Sequence, residues 1–342
     1  MTVDDSYDNE HPPSAYNTDP TSPDDTDDTG DAGDTDNTDD TDDTDDTDDD
    51  STDTGDTGEK SEPIDCDDLP QVPTSITAVP GARGYHGLAF DDDGHIIGSD
   101  NVSLIRSTRD GDWDILAPSI GATEQIERME DGDLAVLTSS TTSVTRVTME
   151  GAASILATAI SAYGIMTGPD GMLYVADYTT IVRIDPDTGE KTNLLGNVSG
   201  STPKVVNFSP DHRTMYYGSL SGGNIYAVPL DENMDPTGIP ELFATGVGGW
   251  HDGLGVDVCG NLYVADYSYT SLYKITPDGV VSLYHNFTGN SYGHGVTWGS
   301  GIGGFRQDAL YVPQPYNSNR VLEMVIGVPM RGWDGEVLNG PK

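Results

Sequence analysis

The sequence predicts an all-β domain, a six-bladed β-propeller, preceded by a disordered acidic segment. Three observations support this prediction. One hairpin motif recurs along most of the chain, its copies begin about 40 residues apart, and the same stretch lacks the capped 3.6-residue periodicity of helices. Self-similarity at such a period is typical of solenoids and propellers.

The clearest copy of the hairpin motif runs from Asp252 to Ala265 and turns at Gly260. Alternating apolar residues before this glycine and β-forming residues after it predict two antiparallel strands. A nearly identical pattern occupies residues 163–178, and a shorter one begins at His86.

Aligning the turns of these hairpins gives the first position of each inner strand. The six starts are His86, Glu124, Tyr163, Lys204, Asp252 and His294. They are separated by 38, 39, 41, 48 and 42 residues. Third and fourth strands follow in the first five units, so six four-stranded blades fit this length.

The last unit has no fourth strand of its own at the C-terminal end. Residues 74–80 have the pattern of a strand and can supply it, which would close the ring and leave no open sheet edge. We therefore expect the propeller to span residues 64–333, followed by a short tail over 334–342.

Residues 1–63 form an Asp/Thr-rich segment. The chain has a net charge of −44, and residues 1–70 contain 28 acidic residues and one lysine. This segment has too few apolar residues for their burial to offset the entropy lost on ordering. We therefore expect a disordered spacer that is extended by self-repulsion. The Thr-Asp-Asp repeats lack the glycine and terminal glutamate of a calcium-binding loop, which favours a solvated spacer.

Composition also bears on partners and location. The acidic balance argues against nucleic acid as a partner. The sequence contains no run of 18 apolar residues, so it predicts no transmembrane segment. Residues 1–5 do not resemble a secretory signal. A long acidic spacer before a β-domain is nevertheless typical of a tether, so we expect a secreted or surface-tethered, extracytoplasmic monomer.

The two cysteines are compatible with that location. Cys66 precedes the first strand, Cys259 lies in the hairpin turn of the fifth unit, and both are expected on one face of the propeller, one blade apart. A disulfide is therefore allowed geometrically and would indicate an oxidising compartment, whereas the alternative is two unrelated thiols.

The Asp252–Ala265 motif, with Phe-Ser-Pro-Asp at 208–211 and the Pro-Asp-Gly turn at 277–279, resembles the senescence-marker-protein/gluconolactonase/luciferin-regenerating-enzyme-like family. The resemblance covers about residues 80–330, and similar hairpins occur in other six-bladed propellers such as those with NHL repeats. It implies a divalent cation, often calcium, at the top of the central tunnel and hydrolysis of lactones or related esters.

The residues that match the family's cation ligands differ in two of three positions. A family glutamate matches His86, a family asparagine matches Lys204, and only the aspartate is retained, as Asp252. Calcium takes six to eight oxygen ligands, and neither histidine nor lysine supplies one. The sequence therefore predicts an altered or lost calcium site.

The six starts should converge at one mouth of the tunnel, where propellers bind ligands. Three hypotheses remain open for this ring. In the first, Lys204 replaces the cation by pairing with Asp252 and Glu124, and the ring binds a small molecule, with His86, Glu124, Tyr163 and His251 as ligand contacts, or only fills the mouth.

In the second hypothesis, His86, His294 and a carboxylate, Asp252 or Glu124, bind a transition metal such as zinc. In the third, His251 or His294 is a general base oriented by Asp252, and Lys204 stabilises an oxyanion during metal-free ester or lactone hydrolysis. The catalytic candidates are thus Asp252, His294 and Lys204, and no cofactor is needed.

The sequence is also compatible with a different class of function. The domain could be a non-catalytic surface module that binds a protein or a glycan through its top loops. The candidate contact loops are residues 231–240 and the glycine-rich turn 299–304. Substitution of Asp252 should abolish an enzyme's activity and leave a loop-mediated binder unchanged.

Overall fold

The computed structural model describes residues 62–121, 123–138, 141–196, 202–220, 222–288, 292–332 and 334–340. The predicted spacer 1–63 therefore lies outside the described residues, apart from its last two positions. The described chain is all-β with one short 3-10 turn at Cys66–Asp68, and none of its helices could cross a membrane.

Six four-stranded antiparallel sheets form the blades, and in each of the first five the strands follow chain order from the tunnel outward. Blade one contains β3 (Ala89–Phe90), β4 (Ile96–Ser99), β5 (Leu104–Ser107) and β6 (Trp113–Ala117). Blade two contains β7 (Thr123–Arg128), β8 (Leu134–Thr138), β9 (Ser143–Val147) and β10 (Ala153–Thr158). Blade three contains β11 (Ala162–Thr167), β12 (Leu173–Asp177), β13 (Thr180–Ile184) and β14 (Lys191–Leu195).

The next two blades repeat this order. Blade four contains β15 (Pro203–Phe208), β16 (Thr214–Ser219), β17 (Asn224–Pro229) and β18 (Glu241–Thr245). Blade five contains β19 (His251–Val256), β20 (Leu262–Asp266), β21 (Ser271–Ile275) and β22 (Val281–Asn286). The turn between the first two strands of a blade lies on the face that we call lower. In blades one to five these turns carry a positive φ, at Gly94, Gly132, Gly171, His212 and Gly260.

Blade six closes the ring with a strand from the other end of the domain. Its order from the tunnel outward is β23 (Thr297–Trp298), β24 (Ala309–Gln314), β25 (Arg320–Val325) and β2 (Ser75–Val79). Ser75 pairs with Val325 and Val79 with Val321 in antiparallel register. The predicted ring closure is confirmed, and each blade edge is protected by its neighbours.

The hydrophobic core lies between blades. The described buried residues form six clusters, each at an interface between adjacent blades. For example, Leu137 of blade two packs with Val175 of blade three, and both are almost fully buried. Second strands contribute to two interfaces at once, so the Leu-Tyr-Val-Ala-Asp pattern of β12 and β20 has four or five buried residues. Burial on both faces explains the near-continuous apolar run.

The C-terminal segment crosses the lower mouth of the tunnel. The indole nitrogen of Trp298 donates to the carbonyl of Val328, and the amide of Arg331 donates to the carbonyl of Val256. Beyond it, β26 (Val337–Leu338) pairs in parallel with β1 (Ile64–Asp65). The short tail therefore contains a strand.

A disulfide fastens this lower face. Cys66 is bonded to Cys259 in the β19–β20 turn, with their Cα atoms 5.5 Å apart. The bond joins the segment before the first blade to blade five across 193 residues of sequence. The pairing allowed by the sequence is thus present in the structure.

The two loops expected to serve as top contact loops lie on the wrong face for that role. Residues 231–240 connect the third and fourth strands of blade four, and 299–304 connect the first two strands of blade six. Connections of both kinds leave a blade at its lower end. The side chain of Arg109, in the β5–β6 turn, lies beside Gly304 there, and Arg183 pairs with Asp235. The assignment of these loops to the ligand-binding mouth was wrong.

Candidate functional site

The predicted ring forms at the upper mouth, and β-bulges position four of its six members. In β11 the register passes from Ala162 directly to Gly164, so Tyr163 has no partner on β12. The same skip occurs at Lys204 and at Asp252, and in β7 it spans Glu124 and Gln125. A bulge places an extra residue on one strand and redirects its side chain, here toward the tunnel.

Glycines after the ring positions allow the inner strands to approach closely at the mouth. A Cβ atom on Gly295 would lie 2.3 Å from the carbonyl oxygen of His86, and one on Gly253 would lie 2.7 Å from the carbonyl carbon of Gly295. No other residue type fits such a backbone contact without displacement. The narrow mouth therefore depends on the dipeptides His-Gly and Asp-Gly.

Lys204 and Asp252 form a buried ion pair at the centre of the ring. The Nζ atom of Lys204 donates to Oδ1 of Asp252, and each side chain is only 5% exposed. The same ammonium lies 4.7 Å from the ring centre of Tyr163 and 4.5 Å from that of Trp250. Burial alone would raise the pKa of Asp252, but the charges of Lys204 and His294 outweigh it and hold that pKa well below its usual range.

His294 contacts the other carboxylate oxygen of Asp252. Its Nδ1 lies 2.9 Å from Oδ2, although neither ring nitrogen makes a well-aligned hydrogen bond with any residue that the structure describes. Burial lowers the pKa of His294 and Asp252 offsets part of that effect. The imidazole is almost inaccessible, with 3% of the side chain exposed.

His86 forms a second histidine–carboxylate pair nearer to solvent. Its Nδ1 lies 2.7 Å from Oε2 of Glu124, and the two side chains are 19% and 11% exposed. The imidazole is stacked between Tyr85, at 4.7 Å, and His294, at 4.3 Å between ring centres. This arrangement fixes the ring plane and the tautomer, and it leaves Nε2 without a partner among the described residues.

Aromatic side chains continue from this pair around the mouth. Tyr267 stacks on Tyr292 with ring centres 4.7 Å apart and contacts Trp250 edge-on at 5.4 Å. Tyr316 lies 5.7 Å from His294, and its hydroxyl has a raised pKa because it is partly buried. These rings give the mouth a largely apolar wall with polar groups at its base, as in small-molecule sites.

His251 does not belong to the site, contrary to its assignment as a ligand contact and alternative general base. The bulge directs Asp252 to the tunnel, whereas His251 faces blade four, where it packs on Gly218. It is fully buried, its Nε2 lies 2.8 Å from the carbonyl oxygen of Val247, and burial lowers its pKa. Neighbouring strand residues point in opposite directions, and this separates the two side chains.

The ring does not fit the calcium ion that the family resemblance implies. The ammonium of Lys204 occupies one oxygen of Asp252, and His86 offers no oxygen ligand. The zinc alternative also fits poorly, because the His86 and His294 rings are stacked within 20° of parallel and their lone pairs cannot converge on one ion.

A different group has the composition of a cation site. Among the described residues, Asp91, Asp93 and His95 hold ligand atoms within 4.8 Å of one another. They belong to the β3–β4 turn on the lower face, and Asp91 already accepts hydrogen bonds from the amides of Asp93 and His95. Any cation bound there would be remote from the ring.

A chamber lies in the tunnel beneath the ring. The side chain of Gln125, on blade two, donates across the tunnel to the carbonyl of Asp252 on the opposite blade five, at 3.2 Å. Below it the inner strands enclose a cavity of about 360 Å³. Glu127, Asn207 and Arg331 are among the residues that line it.

With this geometry established, comparison with known proteins places the chain. Residues 73–287 match the family model described as SMP-30/gluconolactonase/LRE-like region. The match covers more than half of the chain. The protein belongs to the SMP-30/gluconolactonase/LRE-like family. No curated protein sequence gives a significant match.

Solved structures with low sequence identity share the propeller of this family member. A gluconolactonase from Xanthomonas campestris is 16% identical with a TM-score of 0.61, over 75% of this chain and 89% of the other. The calcium-binding protein regucalcin from Agrobacterium tumefaciens is 18% identical with a TM-score of 0.62, over 78% and 98%. A catalytically inactive histidine-to-alanine variant of virginiamycin B lyase from Staphylococcus aureus, with quinupristin, is 18% identical with a TM-score of 0.54, over 78% and 93%.

Several residues of the site were not identified from the sequence. They are the aromatic residues Tyr85, Trp250, Tyr267, Tyr292 and Tyr316, and the chamber residues Gln125, Glu127, Asn207 and Arg331. A signal existed for some of them. Tyr85 immediately precedes the ring position His86, Trp250 lies two residues before Asp252, and Tyr267 follows the recurrent Ala-Asp at the end of a second strand.

Proposed function

We propose that this family member binds a small molecule at the upper mouth of its tunnel and hydrolyses a lactone or ester bond there without a metal ion. The observation that carries the proposal is the His86–Glu124 pair, 2.7 Å apart and partly exposed, beside the buried Lys204–Asp252 ion pair. A histidine oriented by a carboxylate is the usual form of a general base.

The chemistry assigned to His86 follows from its two nitrogens. The Nδ1–H donates to the carboxylate of Glu124, so the lone pair on Nε2 is free to take a proton from water. That water would attack the carbonyl carbon of the bound ester, and the proton would then pass from Nε2 to the leaving oxygen. Glu124 stabilises the imidazolium that forms in between.

Lys204 and Asp252 have an electrostatic role in this proposal. Asp252 holds the ammonium at the mouth, so a positive charge stands where the family's cation would otherwise be. In a site with low exposure, such a charge stabilises an oxyanion more than it would in water. The His294 imidazole contacts Asp252 and stacks on His86, so it positions both side chains.

Two comparisons bear on the proposal, and neither gives a substrate for this chain. A gluconolactonase shares the fold, which supports lactone hydrolysis, and a lyase with the same fold is inactive as a histidine-to-alanine variant, which supports a catalytic histidine. The aromatic wall favours a ligand that presents a flat ring face next to its ester or lactone group.

The test is hydrolysis of a panel of sugar lactones, alkyl lactones and aryl esters, followed by proton release in the presence of EDTA. We expect His86→Gln and Glu124→Gln each to lower kcat/KM by about 100-fold or more, the usual contribution of a general base. His285→Gln is the matched control, because that histidine lies on the outer strand β22.

Two outcomes would contradict the proposal in different ways. Turnover by His86→Gln at the wild-type rate would exclude this residue as the base. Saturable binding of a panel compound that is never hydrolysed would leave a binding protein, and loss of that binding in Trp250→Ala would locate it at the mouth.

A further inference from the structure

The chamber beneath the ring is separated from the proposed hydrolytic site. Gln125 crosses the tunnel above it, and the Val328–Arg331 segment crosses below it. Its volume of about 360 Å³ exceeds what one or two waters require and is enough for a small organic molecule. None of the six ring residues lines it. The chamber is therefore a second compartment.

Arg331 brings a positive charge into this compartment. Its Nε donates to Oδ1 of Asn207 at 2.8 Å, and its guanidinium carbon lies 5.4 Å from the ring centre of Phe208. The two Nη atoms have no hydrogen-bond partner among the described residues. Burial lowers the pKa of Arg331 to about 10, and Glu127 opposes that effect. A forked donor with both terminal nitrogens unused is suited to a carboxylate.

Glu127 presents the complementary group. The carboxylate accepts from the amide of Thr167 at 3.2 Å and also interacts with the hydroxyl of Thr167. The charges of Glu127 and Arg331 affect each other's pKa. The two groups form no direct ion pair, so they interact across a gap. Burial raises the pKa of Glu127 to about 7. A molecule placed between the two groups would satisfy both.

We propose that the lower chamber binds a small hydroxy acid, whose carboxylate pairs with Arg331 and whose hydroxyl donates to Glu127. The unused Nη pair of Arg331, the carboxylate of Glu127 and the cavity that both residues line carry this inference. Asn207 supports it by holding the guanidinium in one orientation through Nε. The proposal does not depend on hydrolysis at the upper mouth.

Two other basic side chains lie near the chamber. Arg128 also lines it and pairs with Asp92 through both Nη atoms, whereas its buried Nε has no partner among the described residues. His212, in the β15–β16 turn, is close enough to Arg331 that the guanidinium helps burial to lower the pKa of this histidine. A neutral His212 leaves Arg331 as the cation that a bound carboxylate would meet.

The test uses the full chain and two acids of equal size. Glycolate carries the hydroxyl and propionate carries a methyl group in its place, and binding is measured by ligand-observed NMR and calorimetry at pH 7. We expect glycolate to bind more tightly than propionate, and Arg331→Met to weaken glycolate binding at least 10-fold, the usual loss for a charge-assisted pair. Glu127→Gln should reduce the difference between the acids.

Two matched controls locate the binding. Arg306→Met removes an arginine on the lower face outside the chamber, paired with Asp308, and should leave glycolate binding unchanged. His86→Gln alters the upper mouth and should also leave it unchanged. If glycolate binding is lost in His86→Gln, the acid occupies the ring and the chamber proposal fails.

The remaining outcomes are decisive as well. No binding of glycolate at millimolar concentration, or equal binding by wild type and Arg331→Met, would show that water alone bridges Arg331 and Glu127. Equal affinity for both acids would overturn the role given to Glu127. If Arg331→Met does not fold, Arg331→Lys retains the charge without the fork, and it should still show weaker binding than wild type.

Discussion

The ammonium of Lys204 and the carboxylate of Asp252 meet at the centre of the upper mouth, both almost completely buried. Lys204 lies on blade four and Asp252 on blade five, so the pair also joins adjacent blades at the narrowest point. Because His294 contacts the same carboxylate, one acid organises two basic side chains. A protein side chain here provides the positive charge that the family resemblance assigns to a metal ion.

Removing one member of this pair should be costly. Lys204→Met leaves the Asp252 carboxylate buried without its cation, and we expect a loss of about 3–5 kcal/mol in unfolding free energy. The double variant Lys204→Met/Asp252→Asn should recover part of that loss, because it leaves no buried carboxylate without a cation. Urea denaturation at pH 7 measures both, with the exposed Lys191→Met as control. Equal destabilisation by the single and double variants would mean that the pair contributes nothing beyond packing.

The family's cation site should be recoverable by two substitutions. His86→Glu/Lys204→Asn restores oxygen ligands beside Asp252, and we expect a calcium-dependent rise in its melting temperature. The wild-type melting temperature should not change with EDTA. If it does fall in EDTA, Asp91→Asn separates two explanations. Loss of the effect in that variant places the ion in the lower-face turn, and its persistence places a metal in the ring and contradicts the replacement by Lys204.

Glu127 should make stability depend on pH. Its pKa rises from 4.5 in the unfolded chain to about 7 in the folded protein, so folding favours the protonated acid. This has no effect below about pH 4.5, where both states are protonated, and it destabilises the fold increasingly as pH rises to about 7. The unfolding free energy of Glu127→Gln should therefore exceed that of wild type by about 1–3 kcal/mol at pH 8 and equal it at pH 4.5.

Denaturation curves at the two pH values test this prediction, and Glu130→Gln provides an exposed control in the same turn region. A gain for Glu127→Gln that is the same at both pH values would show that packing, rather than ionisation, is responsible.

The Cys66–Cys259 bond should contribute strongly to stability. It restricts a long loop in the unfolded chain, and its removal typically costs about 2–5 kcal/mol. We expect the double variant Cys66→Ser/Cys259→Ser to unfold at a lower urea concentration than oxidised wild type. Reductant should lower the urea midpoint of wild type to that of the double variant. A midpoint that does not respond to reductant would indicate that the bond adds no stability.

The sequence predicted the architecture closely because its determinants are local and repeated. Glycine turns such as Gly171 and Gly260 require a positive φ, and the apolar run between turns identifies second strands. Counting eight residues back from each of the five aligned turns also located five of the ring residues, and His294 was found by the similarity of its opening residues. The same count could not say which way a side chain at the strand start points.

That direction depends on the bulges. His251 and Asp252 are adjacent in sequence, and only the register shift between them shows that one faces blade four and the other the tunnel. The His86–Glu124 pair likewise unites residues from different blades, and neither residue identifies its partner. Arg331 lies 204 residues from Glu127 in the chain and reaches the same chamber only because the C-terminal segment crosses beneath the tunnel.

By itself, the sequence determined the six-bladed fold, its closure by the strand near residue 75, and the identity of the six ring residues. These follow from turn chemistry and hydrophobic alternation, which act over a few residues at a time. The tertiary structure decided which of those residues pair and that a second chamber lies beneath them. Such pairings arise only when blades distant in sequence meet around one tunnel, where burial forces each charge to find a partner.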